Sequence, residues 1–426
     1  MTLLVIKSTD SAAPALSGQA GKLLDVLDSC LIVNNVYTTA DDSSFTDRNT
    51  EARLEGGTAF NLLPTPASGD RLYIGMPVKF ARAKFDLATL GVGGTYVWEY
   101  WNGSAWTSLS VTDGTSGFTA AGTVTWTAPG SWATNAVNSV TQYWVRVRAS
   151  ANPSTTPTVN YLTVGGWTRA YSGTNKAAYR QASGSNGFLL RVDDTGTTTA
   201  RGVGYESMTD VDTGAGPFPT SAQVSGGLYW AKSNTADATA RPWIVACSEK
   251  LFHYQCNHNS ASDGLTSQIH TFGDIKSYKS GDVFATIHIG ALSATMASNN
   301  TMHLLATTGT SNGHYMARTY TQLGTSIQCS KHTDSAKNGS SNLGAGGVTY
   351  PHPVDGGLYL APLWINESAS VVRGELPGLW APLHNKPLSH LDTFNGTGAL
   401  AGKTFITLNM YSIAQAFLET SDTWLS

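Results

Sequence analysis

The sequence predicts a mainly β protein: a discontinuous, β-rich host domain with one N-terminal helix, interrupted by an inserted antiparallel β-sandwich of jelly-roll type. Three observations predict it. Gly supplies 44 of 426 residues and charged residues only 13%, against about 25% in ordinary soluble domains. A chain rich in Gly, Thr and aromatics and poor in Lys and Glu favours strands and turns over helices. Residues 71–148 hold six of the 12 tryptophans and read as short aromatic strands between turn signals. After Gly165-Gly166 the aromatics thin out and Gly, Thr and Asp turns become more frequent. A chain of this length exceeds one ordinary core, so two or three domains are expected. The boundaries expected are 1–51 for the first part of the host, 52–164 for the sandwich, and 165–426 for the rest of the host, with room for two subdomains.

The helix comes first. Ser17-Gly18 offers a capping position, and Leu23, Leu27 and Leu31 follow at i, i+4 and i+8, with Leu24 alongside and Asp25 and Asp28 between. That pattern predicts a helix over 19–33, after which Val33-Asn34-Asn35-Val36-Tyr37 leaves it as an extended or turning segment. Residues 38–70 are polar and carry Pro64 and Pro66, which reads as a passage between domains. Leu72 to Phe85 is extended, with a break at Pro77. Tyr96 to Trp101 should meet Ala105 to Leu109 across Asn102-Gly103-Ser104, because an Asn-Gly step between aromatic strands is a strong hairpin signal. Thr123 to Thr127 is a strand ended by Pro129-Gly130, and Tyr143 to Arg148 alternates well. Asn152 to Pro157 reads as a loop and Val159 to Val164 as a closing strand. Five or more short strands in about 90 residues suggest a sandwich or jelly roll. In the host, strands are expected at 187–193, 227–230, 243–246, 251–254, 284–289, 358–360 and 404–408. No fixed-period repeat points to a solenoid or propeller.

A net charge of -3 and a pI near 6.3 supply no electrostatic reason to bind nucleic acid. Weak surface charge suits either faces covered by partners, whose interface cores are depleted in charge, or a plain Thr/Ser-rich β surface. No stretch approaches the ~20 apolar residues of a membrane span, so none is expected. Met1 to Lys7 is too short and lacks the basic start of a secretory signal. Cys30, Cys247, Cys256 and Cys329 are few and widely spaced, which predicts free, mostly buried thiols and a cytosolic site of synthesis.

Motifs with chemical content are sparse. Gly396 to Thr404 resembles a phosphate loop, but Thr397 stands where the first Gly is required and a strand follows instead of a helix. Gly18-Gln19-Ala20-Gly21-Lys22 fails because Leu23 replaces the hydroxyl residue. Cys247, His253, Cys256 and His258 crowd one region without paired metal spacing, and read as a packed hairpin rather than a soft-metal site. Asp193, Asp194, Asp210 and Asp212 match no calcium loop and read as turn caps. No His-Glu-x-x-His is present, and no spacing fixes a Ser/His/Asp set. No catalytic residue, metal or cofactor is therefore expected, although carboxylates distant in sequence leave a paired-acid glycosidase open.

The aromatic block is ambiguous. Tyr96, Trp98 and Tyr100 share one face of their strand, and Val97, Glu99 and Trp101 the other. One face is core. Rings on the remaining face would stack on sugars, since they join flat apolar surface to a polar tip. Trp101 and Trp106, flanking the Asn-Gly turn, are the best candidates for exposure, and Tyr100 completes the candidate glycan-binding set.

The flanks add a resemblance. Ile6 to Gly21, followed by Leu23-Leu24-Asp25-Val26-Leu27-Asp28-Ser29-Cys30-Leu31, resembles the start of a family of tailed-bacteriophage virion structural proteins. In that family the helix is soon followed by a run that here stands at Gly166-Trp167-Thr168-Arg169-Ala170-Tyr171-Ser172-Gly173-Thr174-Asn175-Lys176-Ala177-Ala178-Tyr179-Arg180-Gln181, more than 100 residues late. The likeness continues through 201–214 and 227–233 and ends near 373–384, so it covers about 1–36 and 166–426. The block at 93–104 separately resembles β modules of phage baseplate and tail proteins, which are likened to carbohydrate-binding domains. The resemblance implies a virion structural protein, tail- or baseplate-associated, made in the host cytoplasm. Its partners would be other virion proteins and further copies of itself, and it carries over no catalytic residues. A receptor-binding protein gripping host surface glycan through the module is the alternative, and a glycan-degrading enzyme the third.

Overall fold

A computed structural model describes residues 3–65, 67, 69–181, 189–205, 208, 228–257, 267–282, 286–291, 314–318, 323–328, 360–368, 371–382, 391–409 and 415–421. The chain is mainly β, with antiparallel sheets and two short α-helices among the described residues. β1 (Leu4–Lys7) leads to α1 (Lys22–Leu31). The helix is shorter than the 19–33 expected. Gly21 lies at φ 82°, a left-handed conformation that glycine adopts without a Cβ penalty, so the helix starts only after it. Ile32 is already extended. Leu23, Val26, Leu27, Cys30 and Leu31 are buried, the inward stripe that the leucine spacing predicts.

The next strands build two sheets. They are β2 (Asn35–Thr39), β3 (Phe45–Asp47), β4 (Phe60–Asn61), β5 (Arg71–Met76), β6 (Arg82–Thr89), β7 (Val92–Trp101) and β8 (Trp106–Ser108). After them come β9 (Thr112–Asp113), β10 (Gly122–Thr125), β11 (Thr134–Val137), β12 (Val140–Thr155) and β13 (Thr158–Thr163). The seven-stranded sheet has the order β3-β2-β5-β12-β7-β8, with β11 on β12, and the five-stranded sheet the order β4-β13-β6-β10-β9. Phe85, Trp98, Phe118, Trp126, Trp132, Val145 and Val147 form the core between them. Its rings meet mainly edge to face, as at Phe85 and Phe118, 5.1 Å apart, the arrangement the ring quadrupole favours.

Two local expectations need correction. The polar stretch after Tyr37 is not simply a passage: β2 and β3 belong to the seven-stranded sheet, with Tyr37 opposite Tyr73 and Thr39 opposite Arg71. Thr38 and Thr39 are buried there, and α2 (Asn49–Arg53) follows. Asn152–Thr155 is also strand rather than loop. β12 continues past one register shift to place Pro153 opposite Gly93, and past a second to place Thr155 opposite Val92. Gly93 and Gly94 have φ of 65° and 87°, and a Cβ at Gly94 would lie 3.2 Å from Pro153, so glycine permits both the bulge and the close approach. The Asn-Gly hairpin forms as expected, with Trp101 opposite Trp106. The Asn102 Oδ1 accepts from the Ser104 and Ala105 amides, each at 2.9 Å, and Gly103 takes φ 101°.

The remaining strands are β14 (Trp167–Gly173), β15 (Lys176–Gln181), β16 (Leu189–Asp193), β17 (Thr199–Tyr205), β18 (Leu228–Ala231), β19 (Trp243–Cys247), β20 (Leu251–Asn257) and β21 (Ser267–Asp274). They continue as β22 (Lys276–Ser277), β23 (Thr286–Ala291), β24 (His314–Arg318), β25 (Leu323–Gln328), β26 (Leu360–Ser368), β27 (Val371–Pro382), β28 (Thr393–Asn395), β29 (Thr404–Asn409) and β30 (Gln415–Glu419). The twelve-stranded sheet runs β1-β19-β20-β21-β23-β18-β17-β16-β15-β14, with β24 on β23 and β25 on β24. The six-stranded sheet runs β22-β27-β30-β29-β28, with β26 on β27. Residues 187–188, 227, 284–285 and 358–359 of the expected strands lie outside the described residues.

The two ends of the chain's first 165 residues are tied to the twelve-stranded sheet. β1 pairs with β19 from Leu4 opposite Cys247 to Lys7 opposite Ile244. The N-terminus of α1 is held by Asp194, whose Oδ2 accepts from the Leu23 amide at 2.7 Å and the Leu24 amide at 3.4 Å. Lys232, fully buried, donates to Asp194 and to the carbonyls of Gln19 (2.8 Å) and Gly196 (2.7 Å). At the other end of α1 the Cys30 and Cys247 sulfurs lie 3.3 Å apart as free buried thiols. Gly165 sits directly on that last turn: a Cβ there would be 2.0 Å from the Cys30 carbonyl oxygen. The chain therefore leaves α1 and returns from β13 at one place. Arg82 pairs with Glu249 across this junction and donates to the Val164 carbonyl at 2.9 Å. One apolar core continues through it by way of Leu31, Val33, Val164 and Trp167.

Candidate functional site

The sandwich offers two places where aromatic and polar groups converge. The first is the outer face of the seven-stranded sheet, built by strand alternation. Trp98 and Tyr100 point into the core, so Glu99 and Trp101 face outward. Register then brings Trp106 opposite Trp101 and Arg146 opposite both Glu99 and Tyr73. Trp101 and Trp106 are half-buried and meet at 5.6 Å and 65°. The Arg146 guanidinium lies 4.4 Å above the Trp106 ring. It donates from Nε to Glu99 at 2.7 Å and from Nη1 to the Tyr73 hydroxyl oxygen at 3.0 Å. Tyr73 in turn donates to Asp42 at 2.7 Å, and burial pushes its phenol well above the ordinary value. Glu99 also accepts from Arg148 at 3.3 Å, and Asp42 pairs with Arg71 at 3.2 Å.

Beside this network Trp144 is fully buried on the same outer face, under the β11–β12 hairpin, donating to the Asn135 carbonyl at 3.0 Å. Gly75 makes room for it: a Cβ there would lie 2.5 Å from the Trp144 ring. Much of the outer face is thus a second, self-packed apolar layer of Tyr37, Tyr73, Val137 and Trp144, with Trp106 at its rim. One face of Trp106 is already occupied by a cation, an arrangement worth about 0.5–2 kcal/mol.

The second place is a cleft of about 520 Å³ at the edge where the two sheets part. The chain crosses from β8, last in one sheet, to β9, last in the other, through Leu109-Ser110-Val111. β9 pairs with β10 only at Asp113–Val124 and Thr112–Thr125. Beyond Thr125 the two segments part, because Trp126 turns inward, donating its backbone amide to Ala81 at 2.9 Å and its Nε1 to the Phe80 carbonyl at 2.8 Å. Pro129, which cannot donate to a ladder, lies three residues on. Tyr100, Leu109 and Trp126 are the buried residues of the lining, and Ser108, Ser110, Thr112, Thr125 and Thr127 the exposed ones. Tyr100 is 8% exposed and Trp126 7%, so the rings present edges rather than open faces. The Tyr100 hydroxyl is 3.0 Å from the Ser131 hydroxyl.

The three residues singled out for glycan binding are therefore divided. Trp101 and Trp106 stand together on the outer face, whereas Tyr100 points into the core and reaches the cleft from beneath. Trp126, Ser110 and Thr127 of the cleft were not singled out. Their only signal is the Thr-Trp-Thr alternation stopped by Pro129-Gly130.

Of the metal-like clusters, His258, Asp210 and Asp212 lie outside the described residues. His253 is buried between Thr271 Oγ1 (2.7 Å) and the Pro377 carbonyl (2.8 Å), and burial lowers it to about 4. Burial raises the Cys256 thiol to about 12. Asp193 pairs with Arg191 at 2.7 Å, and Asp194 is committed to Lys232 and α1. Among the described residues no three His, Cys, Asp or Glu side chains stand close enough to hold a metal ion, and no helix is long and apolar enough to cross a membrane. No protein-family model matches the chain, and comparison with curated proteins finds no similar sequence.

Proposed function

We propose that this protein is a structural component of a bacteriophage virion, tail- or baseplate-associated, acting through assembly contacts and presenting its β-sandwich as an added surface module. The observation that carries the reading is the shared exit and return of the chain: α1 and Gly165 are in backbone contact, and β1 completes the sheet of β19. A module whose two ends meet at one place is added without breaking the host's own pairing. The resemblance of about 1–36 and 166–426 to phage virion structural proteins supports the same reading, because α1 and Trp167 pack into one core where the chain returns. No catalysis is needed for such a role. Mass spectrometry and antibody-gold labelling of purified particles test it. The protein should be present at constant copy number at a fixed position on the tail, and its absence from washed particles would sink the reading.

A second reading, host attachment through surface glycan, is favoured by the open, uncharged cleft of the sandwich. It predicts loss of adsorption by fully assembled particles when the sugar-contacting residues are changed. Unchanged adsorption would leave the purely structural role.

A further inference from the structure

We infer that the cleft between Leu109–Val111 and Thr125–Pro129, rather than the Trp101–Trp106 pair, is a binding site for a neutral oligosaccharide. The inference deepens the attachment reading and depends on it only for its biological role.

Four observations point to this ligand chemistry. The lining contains no charged side chain, so neither an anionic nor a cationic group finds a partner there. Five of the eleven lining residues bear aliphatic hydroxyls, each able to donate and to accept, which is what a sugar hydroxyl requires. Tyr100 and Trp126 add ring edges against which sugar C–H groups pack. The parting of β9 from β10 also leaves the backbone of Ser110 and Thr127 without a backbone hydrogen bond among the described residues, so both segments bring donors and acceptors to the cleft. The volume of 520 Å³ lies within the roughly 300–1,000 Å³ of small-molecule sites.

The outer face competes poorly. Trp106 already carries Arg146 on its ring and packs edge-on against Tyr73 and Trp101. A sugar stacking there would have to displace a guanidinium held by Glu99 and Tyr73. An extended peptide would also use free backbone groups, and is the competing occupant. The hydroxyl-rich, uncharged lining favours the sugar.

The test is an array of neutral oligosaccharides built from glucose, galactose and N-acetylhexosamines, with sialylated glycans and an alternating Val-Thr hexapeptide as controls, probed with the full chain. Binding to at least one neutral glycan is expected. Ser110→Trp and Thr127→Trp, both at exposed positions, should each weaken it by about tenfold or more while the cooperative thermal transition is kept. Trp101→Ala should leave it unchanged. A blank array, binding only to sialylated glycans or the peptide, or binding lost in Trp101→Ala but kept in both cleft variants overturns the inference. A blank array with the protein still found on the tail removes the cleft site and leaves the virion role standing.

Discussion

Replacing Asp194 with Ala should unfasten α1 from the rest of the protein. Asp194 and Lys232 form a fully buried ion pair. Burial raises the Asp194 carboxyl, against the Lys232 ammonium and the Leu23 and Leu24 amides, which pull it down. The pair is thus a poor net source of stability and a dangerous one to break. In Asp194→Ala the Lys232 ammonium keeps only the Gln19 and Gly196 carbonyls. Removing one partner of a buried pair costs about 3–5 kcal/mol, and the lost cap on α1 adds about 1 kcal/mol. The expected loss is about 5 kcal/mol. Asp194→Leu combined with Lys232→Met removes both charges and should cost clearly less than Asp194→Ala alone, since only the cap is forfeited outright. Urea unfolding monitored by tryptophan fluorescence reads both, because Trp167, Trp230 and Trp243 lie in the same core as α1. A loss below about 1 kcal/mol in Asp194→Ala, or a double variant worse than the single one, would refute the reasoning.

Three further outcomes follow from the same geometry. His253 and His288 are buried neutral, lowered to about 4 and about 3, and His288 Nε2 accepts from Trp230 at 3.2 Å only while unprotonated. Stability is therefore complete above the ordinary histidine value of about 6.5 and declines as pH falls from there toward the folded values, His253 alone contributing roughly 3 kcal/mol across that window. A urea midpoint that stays flat from pH 7 to 4.5 would contradict this. Gly75→Ala drives a methyl into the Trp144 ring and should destabilise by about 1–3 kcal/mol, with a thermal midpoint equal to the parent's as the refuting result. Cys30, Cys247 and Cys256 are buried, and burial raises Cys30 well above its ordinary value. These thiols should resist Ellman's reagent in the native state and react after unfolding, and rapid native labelling at Cys30 or Cys247 speaks against the packed junction.

Local signals make much of the sandwich legible. Asn102-Gly103 marks its hairpin because left-handed glycine and the Asn side chain close the turn, and period-two alternation separates Tyr100 from Trp101. Which face becomes core is harder to read, since the outer face also carries Tyr37, Tyr73 and Trp144. Val36 to Thr39 is hidden for a similar reason. Its threonines are polar in sequence and buried only through pairing with β5. The start of α1 depends on Asp194, 171 positions away from Leu23, so no nearby capping residue marks it. The cleft arises where β9 and β10 stop pairing, a long-range register that neither Trp126 nor Ser110 announces. The Arg146 network likewise depends on β12 lying between β5 and β7, and that placement leaves Trp106 half-covered instead of free for a ligand.

We propose that the sandwich is a guest in a host that closes across it. Because β2 and β3 pair within the seven-stranded sheet, the most direct test excises residues 34–164 rather than 52–164, joins Val33 to Gly165 through a short Gly-Ser linker, and has 34–164 expressed alone as its companion piece. Both pieces should unfold cooperatively in urea, the excised host with reduced stability because the core at Val33 and Trp167 loses Val164 and its neighbours. Failure of both pieces to show a cooperative transition would make the two parts a single folding unit and rule out the guest–host division.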